Sequence, residues 1–538
     1  MYIRKTTNKN KDGTVRTYVQ IVQGYRVNGK VRQKVIANLG RLEQLQEGEI
    51  DNLLEHLSKF SKETWIKSRP ENLKVEWTKK WGPALVSRRL WEDLSIGPQL
   101  RTFLDSTEIT SPLEEAAFAM VLNRLCDPQS KLGVSEWINT VHRAEFRELK
   151  LQHFYKALDF LAEHKENLEV KLFERIRNLF NMDLDLVFWD TTSTYFEGSG
   201  PEEMAKYGFS KDKRPDRLQI VIGVLMTKEG IPVAHQIFPG NTNDTKTFKS
   251  IVDDLRQRFS INRLIMIGDR GMVSQKILKE LRDCGMEYIV GLRMRRLAGI
   301  DDMLSWNARY LKVKDNLKAK EVRIDNWDRF ILCLNPEAKE RDRLARKNMV
   351  AKLEQKLLKG GAKSLVGNRG YRRYLNVNGK AASINWEALK RKERFDGKYL
   401  LLTNSDLPTE QVALAYKDLW KVERAFRELK SGLDLRPIYH WTDSRVRGHV
   451  MVCYLALVLE SSLQKKLRDI KPDLSYRKVM RHLAQMAAVK VSFEGQEYLT
   501  RSELQGEAYM AFKAAGIRPP KHMQPMNGVC QDSCRTFI

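Results

Sequence analysis

The sequence predicts an α/β core interrupted by a large, β-rich insertion, with a basic β-strand region ahead of it and helical domains on its flanks. Three observations lead there. From Leu184 onward, short apolar strand candidates alternate with helical patterns, which is an α/β order. The chain has 538 residues, a length that implies several domains or one domain with large insertions. Its charge is lopsided: 94 Lys and Arg stand against 68 Asp and Glu, a formal net charge of +26. Hydrophobic residues at 42% and aromatics at 9% suffice for real cores and exclude wholesale disorder. Such an excess of cations predicts a polyanionic partner, nucleic acid ahead of an anionic membrane. A basic enzyme that needs its charge only for solubility is the blander reading.

The elements follow in chain order. Residues 1–41 read as a basic β-rich arm. Asp12-Gly13 and Asn28-Gly29 are hairpin-turn dipeptides, flanked by β-rich Thr14–Tyr25 and Lys30–Ile36. Ten Lys and Arg against one acid, Asp12, favour a DNA-contacting arm over a solvated sheet face. Residues 42–181 read as helical, with apolar residues at helical spacing through Glu114–Leu125 and Phe154–Phe180. They would bind DNA or support the core. Residues 182–294 carry strand candidates at Leu184–Trp189, Leu218–Met226, Ile231–Phe238, Leu264–Ile267 and Tyr288–Leu292, with helices at Thr245–Phe259 and Ser274–Arg282. Residues 295–398 form the basic insertion, where Lys339 to Arg373 holds twelve Lys and Arg against three acids. The core resumes over 399–465 with a strand at Tyr399–Thr403, a helix over Thr409–Lys430 opened by Pro408, and an apolar helix at His449–Leu463. Residues 466–538 read as a helical C-terminal region.

A membrane protein is not expected. The start, Met1 to Asn10, lacks the apolar stretch of a signal peptide, and the run Val450–Leu459 is about half the length of a spanning helix. Six scattered cysteines predict reduced thiols and a cytoplasmic protein. Cys530 and Cys534 lie close in sequence, but nothing completes a zinc set around them.

Three carboxylates stand out by placement. Asp190 ends the strand candidate Leu184–Trp189; Asp269 ends Leu264–Gly268; Glu423 lies within the helix Thr409–Lys430. An ionised group at the end of a buried strand is expensive unless paired. Hard oxygen ligands without His or Cys suit Mg²⁺ or Mn²⁺, and two such ions activate a water or hydroxyl against a phosphodiester. On the helical period, Tyr416, Leu419, Trp420, Glu423, Phe426, Arg427 and Lys430 share one broad, mainly apolar face. An acid in such a stripe needs a partner, either Arg427 at i+4 or a metal.

The order Asp190-Thr191-Thr192, Gly240-Asn241-Thr242-Asn243-Asp244, Gly268-Asp269-Arg270-Gly271-Met272 and Tyr416…Glu423…Lys430 resembles the DDE transposases of bacterial insertion sequences. Within them it resembles the class with a Tyr-x2-Arg-x3-Glu-x6-Lys signature, in the insertion-sequence-four-like superfamily. The opening segment from Tyr25 to Arg41 is similar to the start of one branch of that class, and the resemblance runs to about residue 460. It implies an RNase H-like core with Asp190, Asp269 and Glu423 as catalytic metal ligands for two Mg²⁺ ions, Mn²⁺ serving as a substitute. It further implies double-stranded DNA as partner, at transposon ends and target, a homodimer in a synaptic complex, and a nucleoid-associated place in a bacterial cytoplasm. One position departs: Leu419 stands where the signature has Arg. Arg424 or Arg427 is the candidate substitute at the DNA phosphate, beside Tyr416 and Lys430.

Other candidate DNA contacts are Arg270 and the loop cations Lys211, Lys213, Arg214 and Arg217, which precede a strand. Trp306, Trp327 and Trp386 fall in the insertion, where an aromatic could stack on an extruded base, although each is more often core. The expected activity is metal-dependent cleavage at inverted repeats followed by strand transfer. The alternatives are an RNase H-like structure-specific nuclease that cuts without joining, and an inactive DNA-binding relative.

Overall fold

A computed structural model of the chain describes residues 2–27, 30–44, 73–180, 186–242, 254, 258–259, 265–268, 275–283, 285–322, 328–360, 369–378, 381–493 and 496–526. Strands β1 (Tyr2–Lys9), β2 (Val15–Val27) and β3 (Lys30–Arg41) form an antiparallel sheet. The first turn is made by Asp12, whose carboxylate accepts from the Thr14 N–H at 3.0 Å and the Thr14 hydroxyl at 2.6 Å. Gly13 takes the left-handed φ of 84° that the turn requires. The second expected turn, Asn28-Gly29, lies outside the described residues.

Strand β4 (Leu73–Lys80) precedes a helical region with α1 (Gly82–Asp93), α2 (Leu113–Cys126), α3 (Leu151–Glu163) and α4 (Lys165–Phe180). Ala116 to Leu122 are all buried, so α2 is apolar on every side and lies inside the bundle.

The core sheet begins with β5 (Leu186–Tyr195), β6 (Gln219–Thr227) and β7 (Pro232–Pro239), an antiparallel meander. Next come β8 (Ile265–Gly268), parallel to β5, and β9 (Glu287–Leu292), parallel to β8. The strand expected to end at Trp189 runs on to Tyr195. Asp190, Thr191, Thr192, Ser193 and Thr194 each pair with β6, and the threonines suit a pleated ladder. The helix expected at Ser274–Arg282 is present as Gln275–Asp283. That expected at Thr245–Phe259 falls largely outside the described residues.

The insertion is not a separate β-rich body. Strands β10 (Leu311–Lys314), β11 (Leu317–Val322) and β12 (Arg329–Leu334) extend the core sheet itself. Beyond them the insertion is a 25-residue helix, α5 (Pro336–Gly360), and a small hairpin of β13 (Leu375–Asn378) and β14 (Ala381–Ile384). Leu353, Tyr374, Leu375 and Leu389 give this outlying unit a core of its own. Strand β15 (Lys398–Thr403) then joins β12 to β9, and the order becomes β10-β11-β12-β15-β9-β8-β5-β6-β7. The open edge of β15 is the physical reason. Its unpaired N–H and C=O groups need partners, and β12 supplies them across a register from Arg329↔Thr403 to Leu334↔Lys398.

Three helices follow: α6 (Thr409–Lys417), α7 (Trp420–Arg427) and α8 (Asp443–Ile470). Among the described residues α8 is the one helix long and apolar enough to cross a membrane, but its apolar window is almost entirely buried inside the protein. It is a core helix. The C-terminal region, expected to be helical, holds helices at Tyr476–Leu483 and Ala508–Ala515 and also β16 (Ala487–Phe493), β17 (Gln496–Arg501) and β18 (Met523–Pro525), which pair in the order β18-β17-β16-β4. Val489, Val491 and Phe493 recur with period two, the strand signal in that segment.

Both faces of the core sheet are covered. Phe188, Ile222, Val224, Ile265, Ile267 and Ile289 pack with the helices that include α7 and α8. Trp189, Leu225, Met266, Tyr288 and Val290 pack in a second cluster with Phe173 and Leu278. Gly223, opposite Thr191 in the ladder, lies against the Trp189 indole where a Cβ would not fit. A buried ion cluster fastens α4 to the sheet. Glu169 accepts from Lys165 Nζ at 2.9 Å, from Arg258 at 2.9 Å and from the His235 backbone N–H on β7 at 2.9 Å. Burial alone would raise its carboxyl; Lys165, His235 and Arg258 together hold it well below the ordinary carboxylate range.

Candidate active site

Side chains alternate along a strand, so Asp190 shares a face with Phe188 and not with Trp189. Phe188 packs in the cluster that contains Val422 and Phe426 of α7, the helix carrying Glu423, and α7 lies directly against β5. Asp190 and the Glu423 helix are therefore on the same side of the sheet. Beside them β8, whose Ile265 and Ile267 face that side, ends at Gly268. Asp269 and Arg270 lie outside the described residues, as do Asn243 and Asp244.

The Asp190 carboxylate accepts from the Thr191 N–H at 2.7 Å. Lys211 is fastened to the same strand: its ammonium donates to the Thr191 carbonyl at 2.6 Å and hydroxyl at 3.0 Å, and its backbone N–H donates to Ser193 Oγ at 2.8 Å. This loop cation is thus placed one residue from the acid.

The helix expected over Thr409–Lys430 is in two parts. The Asp418 N–H donates to both Leu414 and Ala415 carbonyls, and the chain turns at Asp418 and Leu419 before α7 starts. The buried stripe runs on across the break, through Val412, Ala415, Leu419, Val422, Phe426 and Leu429 at spacings of three and four, and lies to one side of the expected face. In α7 the buried residues are Val422, Ala425 and Phe426, while Trp420, Glu423 and Arg427 are exposed. Glu423 is therefore not part of a core-facing stripe, and the expected single face does not form. Leu419, in the place of the signature Arg, is buried between the two helices. Tyr416 is half-buried with its ring tilted on Tyr399 at 5.7 Å, and Arg424 lines a groove with Glu229, Glu428 and Glu460. A π-helical turn, Glu428–Gly432, follows α7 and carries Lys430.

Lys430 is engaged with an acid of the same chain. Its ammonium donates to Asp212 Oδ1 at 2.8 Å, and Arg436 pairs with the same oxygen. The Asp212 side chain is 5% exposed and that of Lys430 11%. Burial lowers Lys430 from the ordinary amine range, with Asp212 pulling the other way. Neither Asp212 nor Arg436 was signalled by the sequence, because an acid between Lys211 and Lys213 reads as a charge in a basic loop. The turn is held from beneath by Arg124, which donates to the Asp434 carbonyl at 3.0 Å, and by His449, whose Nε2 is 3.1 Å from the Leu435 carbonyl. Ile438 then bridges to Phe196 at the end of β5, its N–H donating to the Tyr195 carbonyl at 3.0 Å. Glu423 is thereby bracketed by two attachments to the strand of Asp190.

The remaining expected DNA contacts divide. Arg214 pairs with Asp216 at 2.9 Å and lies over the Tyr195 ring, and Arg217 pairs with Glu197 at 2.8 Å. Lys213 is exposed on a left-handed backbone with φ 58°. Trp306 and Trp386 are exposed in the insertion; Trp327 lies outside the described residues.

The donors present are carboxylate oxygens, the set that suits a hard divalent cation. Among the described residues no group of three or more His, Cys, Asp or Glu is assembled for a metal. Asp190 and Glu423 belong to the described set and Asp269 does not.

Comparison with known families identifies the class. Residues 182–459, more than half of the chain, match the transposase DDE domain. The chain belongs to the DDE transposases of insertion sequences. Residues 3–71 match the N-terminal domain of IS1634 family transposases. No curated protein sequence matches significantly. Among solved structures, the piggyBac transposase synaptic complex with hairpin DNA is similar at 11% identity and a TM-score of 0.36, covering 75% of this chain and 79% of that one. The Mos1 transposase paired-end complex with left transposon end is similar at 12% identity and a TM-score of 0.15, covering 46% of this chain and 68% of that one. Both scores are too low to establish a common fold.

Proposed function

We propose that this chain cuts double-stranded DNA at the terminal inverted repeats of its own element and transfers the freed ends to a target. The observation that carries the reading is the placement of Asp190 on the sheet face covered by the Glu423 helix, beside the end of β8. The order β9-β8-β5-β6-β7, with three antiparallel strands and two parallel ones, supports an RNase H-like core. Tyr416, Glu423 and Lys430 support membership of the Tyr-Arg-Glu-Lys signature class, with Leu419 as this chain's departure.

Asp190, Asp269 and Glu423 would hold two Mg²⁺ ions, or Mn²⁺ in their place. Bound there, the ions supply an activated oxygen nucleophile and stabilise the leaving oxygen. The residues do the rest. Asp190 is fixed in mid-strand by the β6 ladder and the Thr191 N–H. Lys211 lays a positive charge against Thr191, where a scissile phosphate would lie. Water attacks the phosphorus in line, the P–O bond to the 3′ oxygen breaks, and a 3′-hydroxyl is released. That hydroxyl then attacks a target phosphodiester, displacing a 3′ oxygen there, so no oxidant and no covalent protein link is required. A homodimer that synapses two ends, working in the cytoplasm on nucleoid DNA, completes the proposal.

Replacing Glu423 with Gln should abolish Mg²⁺-dependent cleavage of inverted-repeat DNA and leave DNA binding largely intact. Full cleavage by Glu423→Gln would sink the assignment. Cleavage without joining in a strand-transfer assay would replace it with a plain nuclease.

A further inference from the structure

Two cations of the candidate site meet on a single oxygen. Lys430 Nζ donates to Asp212 Oδ1 at 2.8 Å, and Arg436 pairs with that same oxygen. Asp212 Oδ2 is buried and, among the described residues, has no hydrogen-bond partner. A permanent ion pair is ordinarily better satisfied: a guanidinium takes both oxygens of a carboxylate in a fork. A buried acceptor left without a donor is destabilising. The arrangement is crowded on one oxygen and unsatisfied on the other. A phosphodiester, by contrast, has two non-bridging oxygens, one for each cation.

The two sides of the pair are mounted differently. The cations stand on fixed ground. Lys430 lies on the π-helical turn that follows the Glu423 helix, and the segment of Arg436 is fastened to the Asp190 strand by the Ile438 N–H on the Tyr195 carbonyl. Asp212 stands at the tip of a short turn. Before it Lys211 is tied to Ser193 and Thr191. After it the Lys213 N–H reaches the Ser210 carbonyl at 3.3 Å, and Lys213 is left-handed at φ 58°, where an L side chain is rarely found. The acid is therefore held against local backbone strain, which its departure would relieve.

We propose that Asp212 is a built-in stand-in for a DNA phosphate: it closes the Lys430–Arg436 pair in the free protein, and a phosphate of the bound end takes its place. This rests on the transposase reading above for the identity of the anion, but its test is a binding measurement made without divalent metal. Full-length Asp212→Asn should bind an inverted-repeat duplex about tenfold more tightly than the unaltered chain, because no internal anion has to be displaced. Asp212→Glu, which restores the carboxylate, should return the affinity to within about threefold. The gain should vanish when Arg436→Gln is added to Asp212→Asn. Arg436→Gln alone keeps the pair of Asp212 with Lys430. It should flatten the slope of log affinity against log salt by about 0.9, the loss of one phosphate contact. Unchanged affinity in folded Asp212→Asn would overturn the proposal. So would a gain that survives Arg436→Gln, which would be lost negative charge acting at a distance. An unchanged salt slope in Arg436→Gln would overturn it as well, and that measurement needs no change at Asp212. Asp190→Asn, assayed for cleavage alongside, separates the two ideas. If Asp190→Asn still cuts DNA, the transposase chemistry fails while the exchange at Asp212 stands on its own.

Discussion

Around Asp190 most cations are answered by an acid of the same chain, whereas along α5 they point into water. Lys430 and Arg436 share Asp212, Arg214 meets Asp216, and Arg217 meets Glu197. On α5, Lys339, Arg341, Lys347 and Lys352 are all exposed; Arg346 is buried and paired with Asp396, and Arg343 pairs with Glu340 at 2.8 Å. The two regions look alike as composition. One is a preorganised site in which charges hold each other in position; the other is a field for a polyanion. Net charge alone does not tell the two regions apart; the presence or absence of nearby acids does.

Four measurements would break or sharpen that contrast. The largest effect is expected on the preorganised side. Asp190→Asn should lower metal-dependent nicking by at least about a thousandfold, read as single-turnover cleavage, with DNA affinity unchanged. An effect below about tenfold would mean that Asp190 is not at the reacting phosphate. Next, Asp212→Asn leaves Lys430 and Arg436 without their counter-charge and should destabilise the free protein by about 3 kcal/mol. Added duplex DNA should then raise its melting temperature by more than it raises that of the unaltered chain. Equal rises would show that these two cations do not reach DNA.

The third concerns another acid near α7. Glu460 of α8 is buried close to Glu428, and burial first, then the Glu428 charge, pushes its carboxyl up to about 7. The folded pKa lies above the unfolded value of 4.5, so the stabilisation from its bound proton is complete below about 4.5 and lost as pH rises through about 7. Glu460→Gln should gain about 2 kcal/mol on the alkaline side of that range and little on the acid side. A parallel pair of stability–pH curves would contradict this. The smallest effect belongs to the solvent-facing helix. Changing Lys339, Arg341 and Lys347 together to Gln should weaken duplex binding about tenfold and flatten the salt dependence by about 0.9 for each phosphate no longer neutralised. An unchanged slope would remove α5 from the DNA path.

Much of the core was legible in the sequence. The apolar runs of β5 to β9 are short, punctuated and rich in branched residues, and each appears within a few residues of its expected place. The strand that carries Asp190 and the helix that carries Glu423 were legible because an ordered set of motifs frames them. What escaped depends on pairings distant in sequence. Glu423 lies on an exposed side because its helix buries the stripe of Val412, Ala415, Leu419, Val422 and Phe426, a choice of face decided by the sheet it packs against. The pairing of Asp212 with Lys430 spans more than two hundred positions, and no local pattern reports it. Strands β10 to β12 were expected in a body of their own because their attachment is decided by the open edge of β15, which local sequence does not display. Asp269, Arg270 and Trp327 lie outside the described residues.

The insertion leaves the core after β9 and comes back as β15, and those two strands are antiparallel neighbours. Its two ends are therefore already side by side, so closing even a very long excursion adds little loop entropy. Everything between them can be regarded as replaceable: a tight hairpin joining β9 to β15 would keep the positions of Asp190 and Glu423. The fold thus has a port at which a lineage can exchange its basic insertion without moving Asp190 or Glu423.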